Sequence, residues 1–472
     1  LTDVTGVQTC ALPIYFKAGL QSWGYVFRST SDTEVVLALY LRYGFKGMLE
    51  RLNGMFAIVI IDLGRQELFM ARDRFGIKPM YYLMNNRTFA FSAELKSFKF
   101  IENFNFRLRM DQLNEYLLYR NNIEGTLYKE IESLEPGSYI SYRHDTGMIK
   151  RKYFSINDFS RETDREETLE YYKEKIKQWL GKSVRSQLMS DVKLGCQLSG
   201  GIDSSLVTWL ANEDSKTGNF EAVSIIFRNK AYSEENYIDE VTSLLKIPSH
   251  KFLLDSEYYL ENIEKASWHL ESPLNHPNTV AIYRLSQRAK EFVTVLLSGE
   301  GADEVFGGYT RFYDIKYPYR LRKLRGELRK NMLNPSGYAK YLSGDYRAIM
   351  ATAFMTLPLA KKLLPGFNER SAYEKRKSLY QSLSGSLFDK QVKYELISYL
   401  PDLLIRQDKM SMAHSIENRV PFLDNELVAS SFTVPEEYLL LRKSTEGYNN
   451  EKYLPKRMAA DTFGGDFAFR DK

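Results

Sequence analysis

Residues Leu198 to Ser205 read Leu-Ser-Gly-Gly-Ile-Asp-Ser-Ser. Gly200 and Gly201 allow the backbone to approach an anion closely, and Ser199, Ser204 and Ser205 supply hydroxyl donors. A Walker loop would place a lysine before its Ser/Thr to reach terminal phosphates; this stretch has the carboxylate Asp203 in that region. An acid beside a phosphate-binding turn suits magnesium bound to pyrophosphate. A second stretch, Ser298-Gly299-Glu300-Gly301-Ala302-Asp303-Glu304-Val305-Phe306-Gly307-Gly308-Tyr309, packs three carboxylates into five residues between glycines. Asp303 is a second hard oxygen ligand for magnesium. Glu300, held near other acids in a partly closed site, has the raised proton affinity that a general base needs near neutrality.

These residues need elements to hold them. Apolar side chains alternate along Val192 to Leu198, which predicts a strand, and Leu206, Val207 and Leu210 continue at helical spacing. Phe292 to Leu297 is a short apolar, β-branched run, again strand-like. Each motif therefore leaves the C-terminal end of a strand, where open α/β sheets bind their ligands. A helix is expected over Tyr171 to Leu188, a strand over Ala222 to Phe227 and a helix over Glu234 to Leu245. Such alternation predicts a doubly wound parallel sheet. The N-terminal third differs: Met55 to Ile61, Leu68 to Phe75 and Met80 to Leu83 read as strands of sheet-rich layers. Dense charge over Ser160 to Glu167 places a linker within Tyr153 to Glu170.

Taken together the two loops resemble those of class II glutamine amidotransferases of the asparagine synthetase type, which belong to the ATP pyrophosphatases. The resemblance covers almost all of residues 20 to 472 and continues through Asp408-Lys409-Met410-Ser411-Met412-Ala413 and Glu417-Asn418-Arg419-Val420-Pro421-Phe422-Leu423-Asp424. In the N-terminal third it is carried by Ser31-Asp32-Thr33-Glu34, Leu52-Asn53-Gly54-Met55-Phe56-Ala57 and Arg72-Asp73-Arg74-Phe75-Gly76-Ile77-Lys78-Pro79. It implies two domains, a partial Ntn-hydrolase-like glutaminase of β-sheet layers over 15–155 and a doubly wound ATP-pyrophosphatase domain with extra helices over 156–472. The reaction implied is ATP-dependent amidation of aspartate through a β-aspartyl-AMP intermediate, releasing AMP and pyrophosphate. ATP and Mg2+ are the expected cofactors, with glutamine or ammonia as nitrogen source and a homodimer allowed.

The resemblance also assigns residues. Leu198, Ile225, Ser298 and Gly299 match positions contacting adenosine, Glu300 the base, and Lys452 a lysine that steadies developing phosphate and oxyanion charge. Asp32 matches the acid that holds the α-ammonium of glutamine, a charge-assisted hydrogen bond; an N-cap on the following helix is the alternative. Residues 1–14 depart from the pattern. Val4 to Ile14 looks like a translated sequencing adapter, and the family's N-terminal Cys, Arg and Asn-Gly-Glu segment are not found. Cys10, nine residues inside the chain, has no α-amine beside it for activation and is not expected to be a nucleophile. The chain is thus expected to be cut at both ends, with an inactive glutaminase half.

Composition sets outer limits. The 472 residues suffice for two or three domains, and a net charge of +5 with interleaved signs does not call for nucleic acid. Arg311 to Lys330 forms a basic stretch read as a solvated helix face. Two cysteines make no disulfide framework, which suits a reducing cytoplasm. No apolar run reaches a membrane span. Two alternatives remain: a related enzyme amidating another carboxylate, a sugar acid or a lactam-forming substrate, with choice set near Trp268-His269-Leu270-Glu271-Ser272-Pro273; or a truncated product that only binds nucleotide.

Overall fold

The computed structural model describes residues 8–10, 16–85, 88–161, 166–214, 220–230, 232–312, 343–441 and 451–470. Most of the basic stretch after Tyr309 lies outside these residues. Within them Arg311 makes a paired contact with Glu395, at 2.6 and 2.7 Å.

Strands β1 (Gln8–Cys10), β2 (Met55–Asp62), β3 (Glu67–Arg72), β7 (Ser138–Arg143) and β8 (Gly147–Lys152) form an antiparallel sheet in that order. A three-stranded sheet joins β4 (Tyr81–Met84) to β5 (Phe89–Ser92) and β6 (Ile131–Ser133). The unbroken apolar run of β2 is explained by burial on both faces. Phe56, Ile58 and Ile60 pack with Val35, Leu39 and Met48 of the Asp32–Arg51 helix, whereas Ala57 and Val59 pack with Met70, Tyr82 and Ile140. The N-terminal half is therefore a helix layer on one sheet, backed by a second sheet.

The C-terminal half is built on five parallel strands: β9 (Leu194–Gln197), β10 (Glu221–Phe227), β11 (Ser249–Leu254), β12 (Val295–Leu297) and β13 (Glu417–Arg419). Their spatial order is β11-β10-β9-β12-β13. The chain moves outward from β9 to β11 and then returns to the far side of β9, so the order reverses between β9 and β12. That reversal opens a crevice beyond the carboxyl ends of those two strands. Helices Leu169–Gln187 and Ile202–Asp214 share a core with the sheet through Leu180, Val184, Leu206 and Leu210.

Three strand ends differ from the expectation. Leu68 to Phe75 stops at Arg72 because Asp73 gathers the backbone N–H groups of Phe56, Phe75, Ile77 and Lys78 into a turn, at 2.9–3.3 Å. Phe292 to Leu297 starts only at Val295, since the Phe292 and Val293 amides donate to the Ala289 carbonyl and close the preceding helix. Val192 lies before β9, its N–H donating to Ser190 Oγ. No helix among the described residues is long and apolar enough to cross a membrane.

The halves meet along buried polar contacts. Lys78 Nζ donates to Asp408 Oδ1 at 2.6 Å, with both side chains buried. Glu271 accepts the backbone N–H groups of Leu95 and Lys96 and pairs with Lys409. A cavity of about 130 Å³ lies on the same seam, with Arg72 and Tyr81 on one wall and Leu270, Pro401 and Ile405 on the other.

Candidate functional site

The two glycine-rich loops emerge from the adjacent strands β9 and β12, at the point where strand order reverses. After β9 the Leu198 amide still donates to Val223 O; then the chain turns, with Gly200 at φ +82°, and enters the Ile202–Asp214 helix. Hydroxyls hold this turn together. Ser199 Oγ accepts the Gly201 amide and lies 3.1 Å from Ser204 Oγ, while Ser205 donates to Gly201 O at 2.8 Å. Ser199 is exposed at the loop's tip, whereas Ser204 and Ser205 are buried.

The second loop packs directly on the first. A Cβ at Gly299 would stand 2.7 Å from the Ser204 nitrogen and 2.9 Å from the Asp203 carbonyl carbon, so no side chain fits. Ser298 is anchored from below: its N–H donates to Arg419 O and its hydroxyl to Asn418 Oδ1. Gly301, at φ +91°, turns the chain into the short Ala302–Phe306 helix. Asp303 lies in its first turn and is not its N-cap.

Lys452 joins the loops. Its Nζ lies 2.6 Å from Asp203 Oδ2 and 2.6 Å from Asp303 Oδ1, and the side chain is buried. Burial opposes its charge, but the two carboxylates outweigh that cost and hold the ammonium well above the usual lysine range. Lys452 precedes the Tyr453–Phe463 helix with φ 49° and ψ 42°. A left-handed backbone costs a non-glycine residue roughly 1–2 kcal/mol, and here it aims the side chain at both acids.

Glu300 is partly buried, and Arg406 Nη2 lies 3.6 Å from its Oε1. Burial raises its proton affinity above the ordinary carboxylate range; Arg406 opposes this, and Asp303 and Asp203 add to it. Glu304 is pushed up to about 8 by burial and by Asp303, while the Tyr309 hydroxyl donates to it at 2.5 Å. Arg406 and Asn278, bonded to each other at 2.8 Å, escaped the sequence reading. A buried arginine inside an apolar helix leaves no periodic signal; its only trace is the polar run Arg406-Gln407-Asp408-Lys409.

Asp203, Asp303, Glu300, Lys452, Ser298 and Gly299 thus share one crevice. Ile225 lies on β10, partly buried beside β11. Asp32 stands in the other half, at the first position of the Asp32–Arg51 helix; the cap is Ser31, whose side chain accepts the Thr33 amide. Trp268 to Pro273 lies on the domain seam, where Tyr116 O–H donates to Pro273 O. One oxygen suits a magnesium ion: Asp203 Oδ1 is buried without a hydrogen-bond partner, while Asp203 Oδ2 and Asp303 Oδ1 are held by Lys452, and no cluster of three or more metal-binding side chains is present among the described residues.

The family model described as asparagine synthase matches residues 175–472, and that described as a glutamine amidotransferase domain matches residues 14–154. The glutamine-hydrolyzing asparagine synthetase 1 of Bacillus subtilis is 31% identical over 468 residues, covering 94% of this chain and 73% of the relative. Asparagine synthetase 3 of the same organism is 28% identical, covering 91% and 70%. An amidase, chyE, of Penicillium rubens is also 28% identical, covering 93% and 71%.

Proposed function

The chain belongs to the asparagine synthase family of ATP-dependent, amide-forming ligases, and we propose that it converts aspartate to asparagine through β-aspartyl-AMP. The observation that carries this reading is the Lys452 ammonium held between Asp203 and Asp303, one acid from each loop. In the first step an oxygen of the acceptor carboxylate attacks the α-phosphorus of ATP and pyrophosphate departs. The turn over Ser199–Ser205, at the N-terminus of a helix, suits the departing pyrophosphate, and Leu198, Ile225, Ser298 and Gly299 suit the adenosine. Mg2+ bound by Asp203 and Asp303 would neutralise charge on the polyphosphate. Lys452 adds a fixed positive charge where negative charge grows in the transition state.

In the second step ammonia attacks the acyl carbon, AMP leaves, and the nitrogen loses a proton to Glu300. A partly buried carboxylate with raised proton affinity is suited to that transfer. In the N-terminal half Asp32 would hold the α-ammonium of glutamine. Free ammonia is the nitrogen source we propose for the amide-forming step. The domain division proposed is 15–155 and 156–472, and the location a reducing cytosol.

Pyrophosphate release with ATP, Mg2+ and aspartate, comparing ammonium with glutamine, tests the reading. Release with ammonium alone is expected. Release with glutamine as well would refute the assignment of the nitrogen source, and release only with another carboxylate would refute that of the acceptor.

A further inference from the structure

Four successive residues of the Leu400–Met412 helix reach in four directions. Arg406 bonds Asn278 and faces Glu300. Gln407 Nε2 donates to Gln197 Oε1 at 2.8 Å, at the end of β9 and next to the first ATP loop. Asp408 accepts from Lys78 Nζ, and Lys409 pairs with Glu271, which in turn binds the backbone of Leu95 and Lys96. Lys78, Leu95 and Lys96 all belong to the N-terminal half.

Side chains on a helix turn by about 100° per residue, so Asp408 and Arg406 stand about 200° apart. Asp408 fastens one side of the helix to the N-terminal half while the opposite side meets the proposed base. The fastening is rigid at its source: the Lys78 amide donates to Asp73 Oδ2 at 2.9 Å, and its carbonyl accepts from Arg72 Nε at 2.7 Å. Arg406 Nη1 is held by Asn278, but its Nε is buried without a hydrogen-bond partner, so the guanidinium is fixed at one end only. Its aim follows the backbone.

We propose that Lys78 is a positioning residue for the amide-forming step: by gripping Asp408 it sets the rotation of this helix, and through Arg406 the aim of Glu300. This rests on the reading of Glu300 as the base. Adenylation needs no such base, so the two steps must respond differently.

The test uses the full chain with ATP, Mg2+, aspartate and free ammonium, so that glutamine chemistry plays no part. Acyl-adenylate formed in a single turnover is measured first, and its conversion to amide on adding ammonium second. Lys78→Met is expected to slow amide formation about tenfold or more, the scale of an ångström-sized misalignment, and to leave adenylation within about twofold. Asp408→Asn, which keeps side-chain volume, is expected to show the same split, and Lys78→Arg to recover most of the loss. Unchanged amide formation in both Lys78→Met and Asp408→Asn would overturn the proposal. So would a parallel fall in both steps in variants that remain folded by circular dichroism, since a residue that positions only the base leaves adenylation intact. Absence of adenylate in the unsubstituted chain would overturn the underlying reading, and this proposal with it, before any variant is made.

Discussion

Gly308 leaves the space that the Asp303 carboxylate fills: a Cβ at position 308 would fall 1.9 Å from Asp303 Oδ1 and 2.7 Å from Lys452 Cδ. The glycine keeps φ outside the left-handed region, so alanine meets no backbone strain there. Gly308→Ala should therefore act through the Asp303–Lys452 contact. Adenylation is expected to fall by about 10²-fold, with a small change in thermal midpoint. Gly344→Ala, with open space around it, should change neither. Equal activity of the two variants would show that the contact has no part in adenylation.

Lys452 bridges the two loops, so Lys452→Met should remove the fixed positive charge between Asp203 and Asp303. Adenylation is expected to drop about 10²–10³-fold, the usual loss when one preorganised charge is removed from a transition state. Lys452→Arg should recover little, because a planar guanidinium does not place one nitrogen 2.6 Å from both Asp203 Oδ2 and Asp303 Oδ1 as the ammonium does. Single-turnover adenylate formation at saturating ATP checks this. A variant that only weakens ATP binding, with its single-turnover rate intact, would remove Lys452 from the chemical step.

The two loops were legible in the sequence because their glycines, serines and acids lie within a dozen residues and follow apolar runs. Lys452 was legible only through a short family match; as a residue it reads like any helix lysine, and its left-handed φ is a property of the fold. Arg406 and Asn278 are 128 residues apart in the chain and converge only when the Leu400–Met412 helix packs beside the sheet. Trp268 to Pro273 reads in the sequence as a place where substrate choice could differ between relatives, and the structure adds that Glu271 accepts the Leu95 and Lys96 amides. No pattern local to that segment reports a partner from another domain. Strand ends were misread where one side chain, Asp73, collects the amides a strand would have used.

The raised proton affinity of Glu300 sets a pH dependence for amide formation. Burial disfavours the carboxylate, Arg406 offsets part of that, and Asp303 and Asp203 repel the added charge. As the proposed base, Glu300 would work only when deprotonated. The rate should therefore rise with pH through the raised pKa, with an acid limb above the ordinary glutamate value of about 4.3. Adenylation, which does not draw on Glu300 as a base, should lack that limb, and Glu300→Gln should slow amide formation by about 10²–10⁴-fold. An acid limb at or below the ordinary value would remove Glu300 from the role.

The seam between the halves also contains a buried ion pair whose contribution to stability can be separated from catalysis. Arg376 Nε donates to Glu115 Oε1 at 2.8 Å, and Arg376 Nη2 reaches the Asn121 carbonyl at 3.1 Å; the two charged side chains are 1% and 2% exposed. Arg376 comes from the Glu369–Ser382 helix and Glu115 from the Met110–Tyr119 helix, so the pair ties the C-terminal half to the N-terminal half. Removing one partner strands a buried charge, and Arg376→Met should cost about 3–5 kcal/mol in denaturant unfolding. Replacing both, Arg376→Met with Glu115→Met, should recover most of that, because desolvation of the two ions is then no longer required. Lys46→Ala, which breaks an exposed pair with Glu50, should change stability by less than about 1 kcal/mol. If the double variant is as unstable as the single one, the contact matters through packing around Tyr119, whose ring lies 4.0 Å from the guanidinium carbon, and not through its charges.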